Sequence, residues 1–128
     1  MMSRRDSNDK QWQEVKKQVH LRDKDVCRLM KVLTLVEFAT LTKNAHQLVN
    51  ILDPAHYLAV SYAPSEVYNV NNICLLNRYS HEHIDNCRSP INGKPITVEE
   101  RQVWWTRILE GNKKQFKALK DSGLIQDN

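Results

Sequence analysis

The chain has 128 residues, of which 41% are hydrophobic and 27% charged, a composition typical of one globular domain. It excludes collagen, low-complexity disorder and a coiled-coil rod. No apolar run reaches the roughly 18 residues of a membrane helix, and the N-terminal MMSRRDSNDK has no apolar stretch of the kind found in a secretory signal. We therefore expect a cytoplasmic protein that does not associate with a membrane.

The charge balance indicates the kind of partner, and the cysteines indicate the redox compartment. Lys and Arg total 19 against 15 Asp and Glu, a formal net charge of +4, which favours a polyanionic partner without establishing one. The three cysteines form no C-x-x-C pair, and their number is odd: Cys27, Cys74 and Cys87. This pattern argues against a secreted disulfide scaffold and for a reducing compartment.

The first predicted element is a helix over about 9–22. Three polar residues at its start are candidate caps: Ser7, Asn8 and Asp9. Apolar residues recur at helical spacing along it: Trp12, Val15 and Val19. The opposite face carries Lys16 and Lys17, which form either a solvated face or a stripe that follows phosphate groups.

The middle of the chain predicts two strands and a helix. Residues 24–50 contain short apolar runs that fit a strand or a buried helix equally well, so their topology stays open. The run LVNIL at 48–52 predicts a strand that ends in a turn at Asp53-Pro54. After a loop over 57–71, the apolar run at 72–76 predicts a second strand. A helix over about 77–87 follows, with Asn77 as its cap.

The C-terminal third predicts a helical tail over about 97–120. Residues 89–95 have the composition of a turn, and Thr97 with Glu100 forms a capping box signature. Gly111 is a natural terminator of the helix that follows. Trp104 and Trp105 are adjacent, so they cannot share one helix face. We expect one of them in the core and the other at the surface.

Four polar residues form the constellation that could carry chemistry: His56, Asn72, His81 and Asp85. His56 ends the first predicted strand region and Asn72 begins the second strand. His81 and Asp85 are four residues apart, so on a helix they lie on one face and could bind one metal ion.

The segment AHYLAVSYAPSEVYNVNNICLLNRYSHEHID resembles the HNH endonucleases, also called ββα-metal nucleases. The likeness covers about residues 48–88 and rests on a His at the end of a strand, an Asn after a loop and a His in a helix. The segments RDKDVC, at 22–27, and PINGKPITVEERQVWWTRI, near the C-terminus, resemble the flanks of small phage-type members. The resemblance implies an α+β domain over 1–128, with a short β-hairpin and a helix flanked by additional helices.

The resemblance also implies an activity, which is metal-dependent hydrolysis of DNA phosphodiester bonds. His56 would act as general base, Asn72 would orient the loop, and His81 with Asp85 would hold one divalent ion. That ion would be Mg²⁺ or Mn²⁺, with Ni²⁺ or Zn²⁺ as alternatives that nitrogen ligation favours. The basic residues expected to contact the DNA backbone are Arg78, Lys16 and Lys17.

Two departures from the family pattern stand out. Many members hold a structural zinc with two C-x-x-C pairs, whereas here the corresponding positions are Cys27, Met30, Asn77 and Ser80. We therefore expect no structural zinc. A metal-binding Asp or His usually precedes the first motif His, but Ala55 stands there. Asp53, Asp85 or a water molecule could complete the site instead.

These departures leave two further interpretations. One is a catalytically weak or inactive module of the same fold that binds DNA or a protein. The other is a small structural or regulatory phage protein in which the motif arises by chance. For an active nuclease, the short chain leaves no room for a separate recognition domain. A phage or host protein partner, or a branched substrate, would then direct it to its target in the host cytoplasm.

Overall fold

The computed structural model describes residues 9–125, which form five α-helices and a two-stranded antiparallel sheet. The elements in chain order are α1 (Lys10–Asp23), α2 (Leu35–Ala45), β1 (Leu52–His56), β2 (Ile73–Asn77), α3 (Arg78–Asp85), α4 (Val98–Glu110) and α5 (Lys113–Asp121). Three short 3-10 turns complete them, at His46–Asn50, Pro64–Glu66 and Val70–Asn72. The predicted α+β class is confirmed. None of the helices in this described part combines the length and apolar character needed to cross a bilayer.

Helix α1 forms as its periodicity predicts. Asp9 is the cap, and its Oδ1 accepts a hydrogen bond from the backbone N–H of Trp12 at 3.2 Å; the other two candidate caps, Ser7 and Asn8, lie outside the described residues. The apolar face of α1 packs on one side of β2, and the contact joins Trp12, Val15, Val19, Ile73 and Leu75. Burial of this face provides the helix with its main stabilisation.

The prediction for the first strand is wrong by four residues. Residues 46–50 form a 3-10 turn, and β1 begins only at Leu52, so Asp53 and Pro54 lie in the strand and not in a turn. Pro54 pairs with Leu75. The Leu75 backbone N–H donates to Asp23 and its carbonyl accepts from Arg28 N–H, so both point away from β1. The strand therefore loses no ladder bond at a proline, which has no N–H to donate.

The segment with open topology, 24–50, contains helix α2. Thr34 caps this helix through a complete capping box: its Oγ1 accepts from Glu37 N–H at 3.2 Å, and the Glu37 carboxylate accepts from Thr34 N–H at 2.9 Å. The sequence at 34–37 carries the same signature as the box at 97–100. The start of the helix is therefore marked by this capping box and not by the apolar runs, which fit a strand equally well.

The predicted C-terminal helical tail consists of two helices, which separate at Gly111 as predicted. The capping box of Thr97 and Glu100 is confirmed at the start of α4. Gly111 ends α4 but keeps a right-handed conformation, with φ at −63°, and Asn112 caps α5 directly afterwards. As expected from their adjacency, Trp105 is fully buried while Trp104 is only partly buried.

The main core lies between the helices and the other side of β2. Trp105 sits in it, together with Leu29, Leu41, Cys74, Leu76, Ile84, Ile108, Leu109 and Leu119. Alternate residues of β2 thus face α1 and the main core, so every residue of the strand is buried. Packing on both faces of β2 holds in place the β-hairpin that carries the candidate site.

Candidate active site

The hairpin and α3 position the three residues of the predicted motif. His56 is the last residue of β1, Asn72 directly precedes β2, and His81 lies in α3. The helix is shorter than the predicted 77–87, since it begins at Arg78 and ends at Asp85. Asn77 caps it as predicted, accepting from Ser80 N–H at 2.9 Å. Because β2 leads straight into α3, the helix start is tied to the sheet.

Asn72 closes the loop between the two strands. Its buried side chain accepts from Leu58 N–H at 2.8 Å and donates to the carbonyls of Leu58 and Glu66, at 3.1 and 3.2 Å. One amide at the end of the loop therefore bonds backbone groups near the start of the loop and in its middle. The orienting role predicted for Asn72 requires contacts of this kind.

His56 is buried, with only 9% of its surface exposed. Its Nε2 lies 2.9 Å from the carbonyl oxygen of Val67. A carbonyl can only accept, so Nε2 carries the proton and, in the neutral imidazole, the lone pair is on Nδ1. The ring stacks on Trp12, with the ring centres 5.5 Å apart. The loop held by Asn72 and the helix α1 together fix the tautomer and the orientation of His56.

His81 lies between two carboxylates. Its Nε2 is 3.0 Å from Asp85 Oδ2, and its Nδ1 is 3.1 Å from Asp53 Oδ2. The expected proximity of His81 and Asp85 on one helix face is confirmed. Burial of the imidazole opposes its protonation, but the hydrogen bonds to Asp85 and Asp53 outweigh burial and raise the pKa of His81 above its usual value.

Asp53 of β1 also forms an ion pair with Arg78, the first residue of α3. Arg78 donates from Nε and Nη2 to the carboxylate at 3.2 and 3.0 Å. Burial of Asp53 favours its neutral form, but the hydrogen bonds from Arg78 and His81 outweigh burial and keep its pKa below the usual range. Asp53 therefore stays ionised and holds the Nδ1 side of His81.

An open pocket of about 680 Å³ brings the motif residues together. His56, His81 and Asp85 line it, along with residues of β1, the loop and α4: Pro54, Ala59, Val60, Ser61 and Arg101. The sequence indicates nothing about Arg101, because this residue comes 16 positions after Asp85 and no local pattern relates the two. Arg101 Nε donates to the carbonyl of Ile84 at 2.8 Å, which ties α4 to α3.

The three proposed metal ligands do not converge on one point. Asp85 and Asp53 bond opposite nitrogens of the His81 ring, and within residues 9–125 no group of three or more His, Cys, Asp or Glu side chains could hold an ion. The pair His81–Asp85 fits better, because two adjacent ligands about 2.1 Å from a metal are about 3 Å apart. This pair lines the pocket, whereas Asp53 does not. Imidazole and carboxylate are suitable donors for a divalent ion that keeps several waters.

The residues predicted to contact nucleic acid have different surroundings. Arg78 is exposed, but its guanidinium is engaged with Asp53. Lys17 is exposed and Lys16 is partly buried on α1, and neither lines the pocket. The structure thus brings Arg78 next to the candidate site through Asp53, whereas the two lysines are not among the residues that line the pocket.

Three of the four positions that correspond to the family's zinc ligands are in contact. Cys27 Sγ accepts from the backbone N–H of Asn77 at 3.2 Å, and Asn77 Nδ2 donates to Ser80 Oγ at 3.0 Å. Ser80 Oγ in turn donates to the carbonyl of Pro90 at 2.7 Å. Met30 packs against the main core. Hydrogen bonds and packing therefore connect the segment around Cys27 to the start of α3.

The pocket combines an imidazole with a fixed tautomer, an imidazole–carboxylate pair and an arginine. Such groups can accept a proton from water, hold a divalent ion and bind an anionic substrate. These are the requirements of phosphodiester hydrolysis. Comparisons of the chain with protein-family models, with curated proteins and with solved structures found no match.

Proposed function

We propose that this protein is a metal-dependent endonuclease of the HNH type that hydrolyses DNA phosphodiester bonds. One observation carries the proposal: His56, His81 and Asp85 line the same pocket, in the chain order strand, loop, strand, helix. The sequence motif alone relates these residues only by spacing. Their meeting at one pocket is what a nuclease of this type requires.

His56 acts as the general base in this proposal. Its imidazole removes a proton from the attacking water, and the bond from Nε2 to the Val67 carbonyl orients the ring. The imidazolium that forms keeps the Val67 carbonyl as an acceptor, which stabilises the positive charge. A neutral imidazole is suited to this work near pH 7.

His81 and Asp85 would hold the divalent ion. An ion bound at that pair would supply a positive charge that offsets the charge on the phosphate and on the departing oxygen. Asp53 bonds His81 from the side away from Asp85 and orients the ring, as outer carboxylates do for metal-binding histidines. Asn72 holds the loop that carries Val67, and so positions His56 indirectly.

The surroundings of the site give a second line of support. The contact of Cys27 with Asn77 joins residues 50 positions apart, at the two places where related nucleases carry their C-x-x-C pairs. A chance match to the motif gives no reason for those two places to meet. Hydrogen bonds among Cys27, Asn77 and Ser80 connect these two places.

A catalytically inactive module that binds DNA is the second candidate, and Ala55 favours it. This residue is fully buried, so the position directly before His56 presents no metal ligand to the pocket. Asp53, the nearest acidic residue of β1, is paired with Arg78. An ion held by only two side chains would bind weakly.

Nicking of supercoiled plasmid DNA tests the proposal. The wild-type protein is incubated with Mg²⁺, Mn²⁺ or Ni²⁺, each against EDTA, beside the variants His56→Ala, His81→Ala and His20→Ala. His20 is the matched control, since it lies on α1 and bonds the exposed Asp25. We expect metal-dependent nicking that is lost in the first two variants and retained in the third.

The outcomes separate the two candidates. Metal-dependent nicking that survives His56→Ala would show that the activity belongs to another site or a contaminant. If no metal supports nicking while the protein still binds duplex DNA at moderate salt, the inactive binding module is correct. If the protein neither nicks nor binds DNA, both candidates are wrong.

A further inference from the structure

Arg101 is the one permanently charged cation among the residues that line the pocket. It lies in α4, outside the hairpin and helix that hold the other site residues. The hydrogen bond from its Nε to the carbonyl of Ile84 fixes the base of the guanidinium next to Asp85. The side chain is partly buried, which limits the conformations it can adopt.

The rest of the guanidinium has no partner in the described part of the chain. Arg101 forms no ion pair there, and the Ile84 carbonyl is the one hydrogen-bond acceptor of its side chain. Arg107, another arginine of α4, contrasts with it, because both of its amino groups donate to the Glu37 carboxylate. Nη1 and Nη2 of Arg101 are therefore available to a ligand in the pocket.

We propose that Arg101 binds a non-bridging oxygen of the phosphate that is cleaved, an inference that rests on the proposed nuclease function. A guanidinium presents two parallel N–H groups that match the oxygens of a phosphate. His56 and the pair His81–Asp85 line the same pocket, so a phosphate held by Arg101 lies where the base and the ion would act. The phosphate supplies the acceptors that Nη1 and Nη2 lack within the protein.

A purely structural role is the alternative for Arg101. Its bond to Ile84 joins α4 to the last turn of α3, and a cation near a helix C-terminus is stabilising. On that account, a substitution lowers thermal stability and leaves DNA affinity unchanged. The two roles therefore differ in what they do to binding.

The test compares Arg101→Gln and Arg101→Lys with Arg88→Gln. Arg88 is an exposed arginine that bonds the Gly93 carbonyl and does not line the pocket, so its variant removes the same charge elsewhere. Three quantities are measured for each protein: the thermal midpoint, the affinity for a short DNA duplex in EDTA, and kcat and KM for plasmid nicking. The EDTA arm reports on binding without turnover.

We expect Arg101→Gln to lower kcat/KM about 10- to 100-fold, the usual effect of losing a hydrogen bond to a charged group. Its duplex affinity should fall at least about threefold below that of Arg88→Gln, with a salt slope smaller by about one. Arg101→Lys should recover affinity but not kcat, since it keeps the charge and loses the fork.

The duplex arm also separates this inference from the nuclease proposal. If the wild-type protein nicks no DNA with any metal, the nuclease proposal fails, and a selective loss of duplex affinity in Arg101→Gln still supports Arg101 as a phosphate contact. Arg101→Gln and Arg88→Gln with equal affinities and equal kcat/KM would overturn it. So would a change confined to the thermal midpoint.

Discussion

The side chain of Asn72 is fully buried and bonds the backbone of the loop between β1 and β2 through both its oxygen and its nitrogen. In Asn72→Asp the two donated bonds disappear, and a carboxylate faces the carbonyls of Leu58 and Glu66. We expect the free energy of unfolding to fall by about 2–3 kcal/mol at pH 7, because buried acceptors are left unpaired and a buried charge is left without a counterion. Urea unfolding measures the change.

Asn71→Asp is the matched control for that substitution. Asn71 is the neighbouring residue, is partly buried, and makes its hydrogen bonds within the described part of the chain through its backbone. A change at this position should cost less than about 0.5 kcal/mol. Equal losses at the two positions would mean that the loop tolerates either residue and that Asn72 does not hold it.

At the scale of single residues, the sequence indicates which residues are candidates for the site. It does not indicate which of their side chains bond each other. The resemblance to the HNH motif selects His56, Asn72 and His81 as candidates, and the structure places His56 and His81 at one pocket. The spacing could not show that Asp53 and Asp85 bond opposite nitrogens of His81. Such contacts depend on how β1 sits against α3, which no local pattern encodes.

Helices α2 and α4 each begin with a capping box, formed with Glu37 and Glu100 respectively. The two carboxylates therefore have the same capping role and can be compared. Glu37 also pairs with Arg107, at 2.7 Å, whereas Glu100 has no ion-pair partner within residues 9–125. The hydrogen bond from Arg107 is the main cause that lowers the pKa of Glu37 from 4.5 to about 2. A carboxylate with a lowered pKa adds stability above pH 4.5, and that contribution is lost as the pH falls towards 2.

We therefore expect Glu37→Gln to be less stable than the wild type by about 1 kcal/mol at pH 7, the upper range for a partly exposed pair. Glutamine keeps the capping box, so the loss reports the ion pair. The difference should shrink between pH 4.5 and 2, as measured by thermal unfolding across that range. Glu100→Gln should change little at any pH; a loss equal to that of Glu37→Gln would assign the effect to capping instead.

At the scale of elements, the sequence predicts a helix correctly where a capping residue precedes apolar residues at helical spacing. Helices α1 and α4 have both signals, and both form. The first strand was misplaced because the β-branched residues at 48–52 and the Asp53-Pro54 pair are both local signals, and tertiary pairing with β2 overrides them. Pro54 fits in β1 only because its partner Leu75 turns its polar backbone groups the other way.

A buried ionic network connects elements that are distant in the chain. Asp23, at the end of α1, bonds Arg22, Arg28 and the backbone of Leu75. Arg28 continues the network to Gln115 of α5 and to the carbonyl of Ile108 in α4. The sequence predicted neither the network nor its partners, since the segment after α1 had no recognisable period. Every element that carries the site is attached to this network directly or through β2.

The substitution Asp23→Asn tests how much of the molecule depends on the network. It removes the charge that compensates Arg28, whose side chain is only 4% exposed, so we expect a loss of about 3 kcal/mol at pH 7. Burial raises the pKa of Asp23, but hydrogen bonds from Arg22 and Leu75 and the nearby guanidinium charges outweigh burial and lower it. The stabilisation is therefore present above the ordinary value of 3.8 and is lost as the pH falls through the lower pKa of the folded state.

The difference between the wild type and Asp23→Asn should accordingly be largest near neutral pH and decrease in acid. Urea unfolding at pH 7 and at successively lower pH values measures it. Asp121→Asn is the control, because Asp121 pairs with Lys117 at the surface and such exposed pairs contribute less than about 1 kcal/mol. If Asp23→Asn costs no more than this control, the network is dispensable, and packing of β2 between α1 and the main core alone holds the candidate site together.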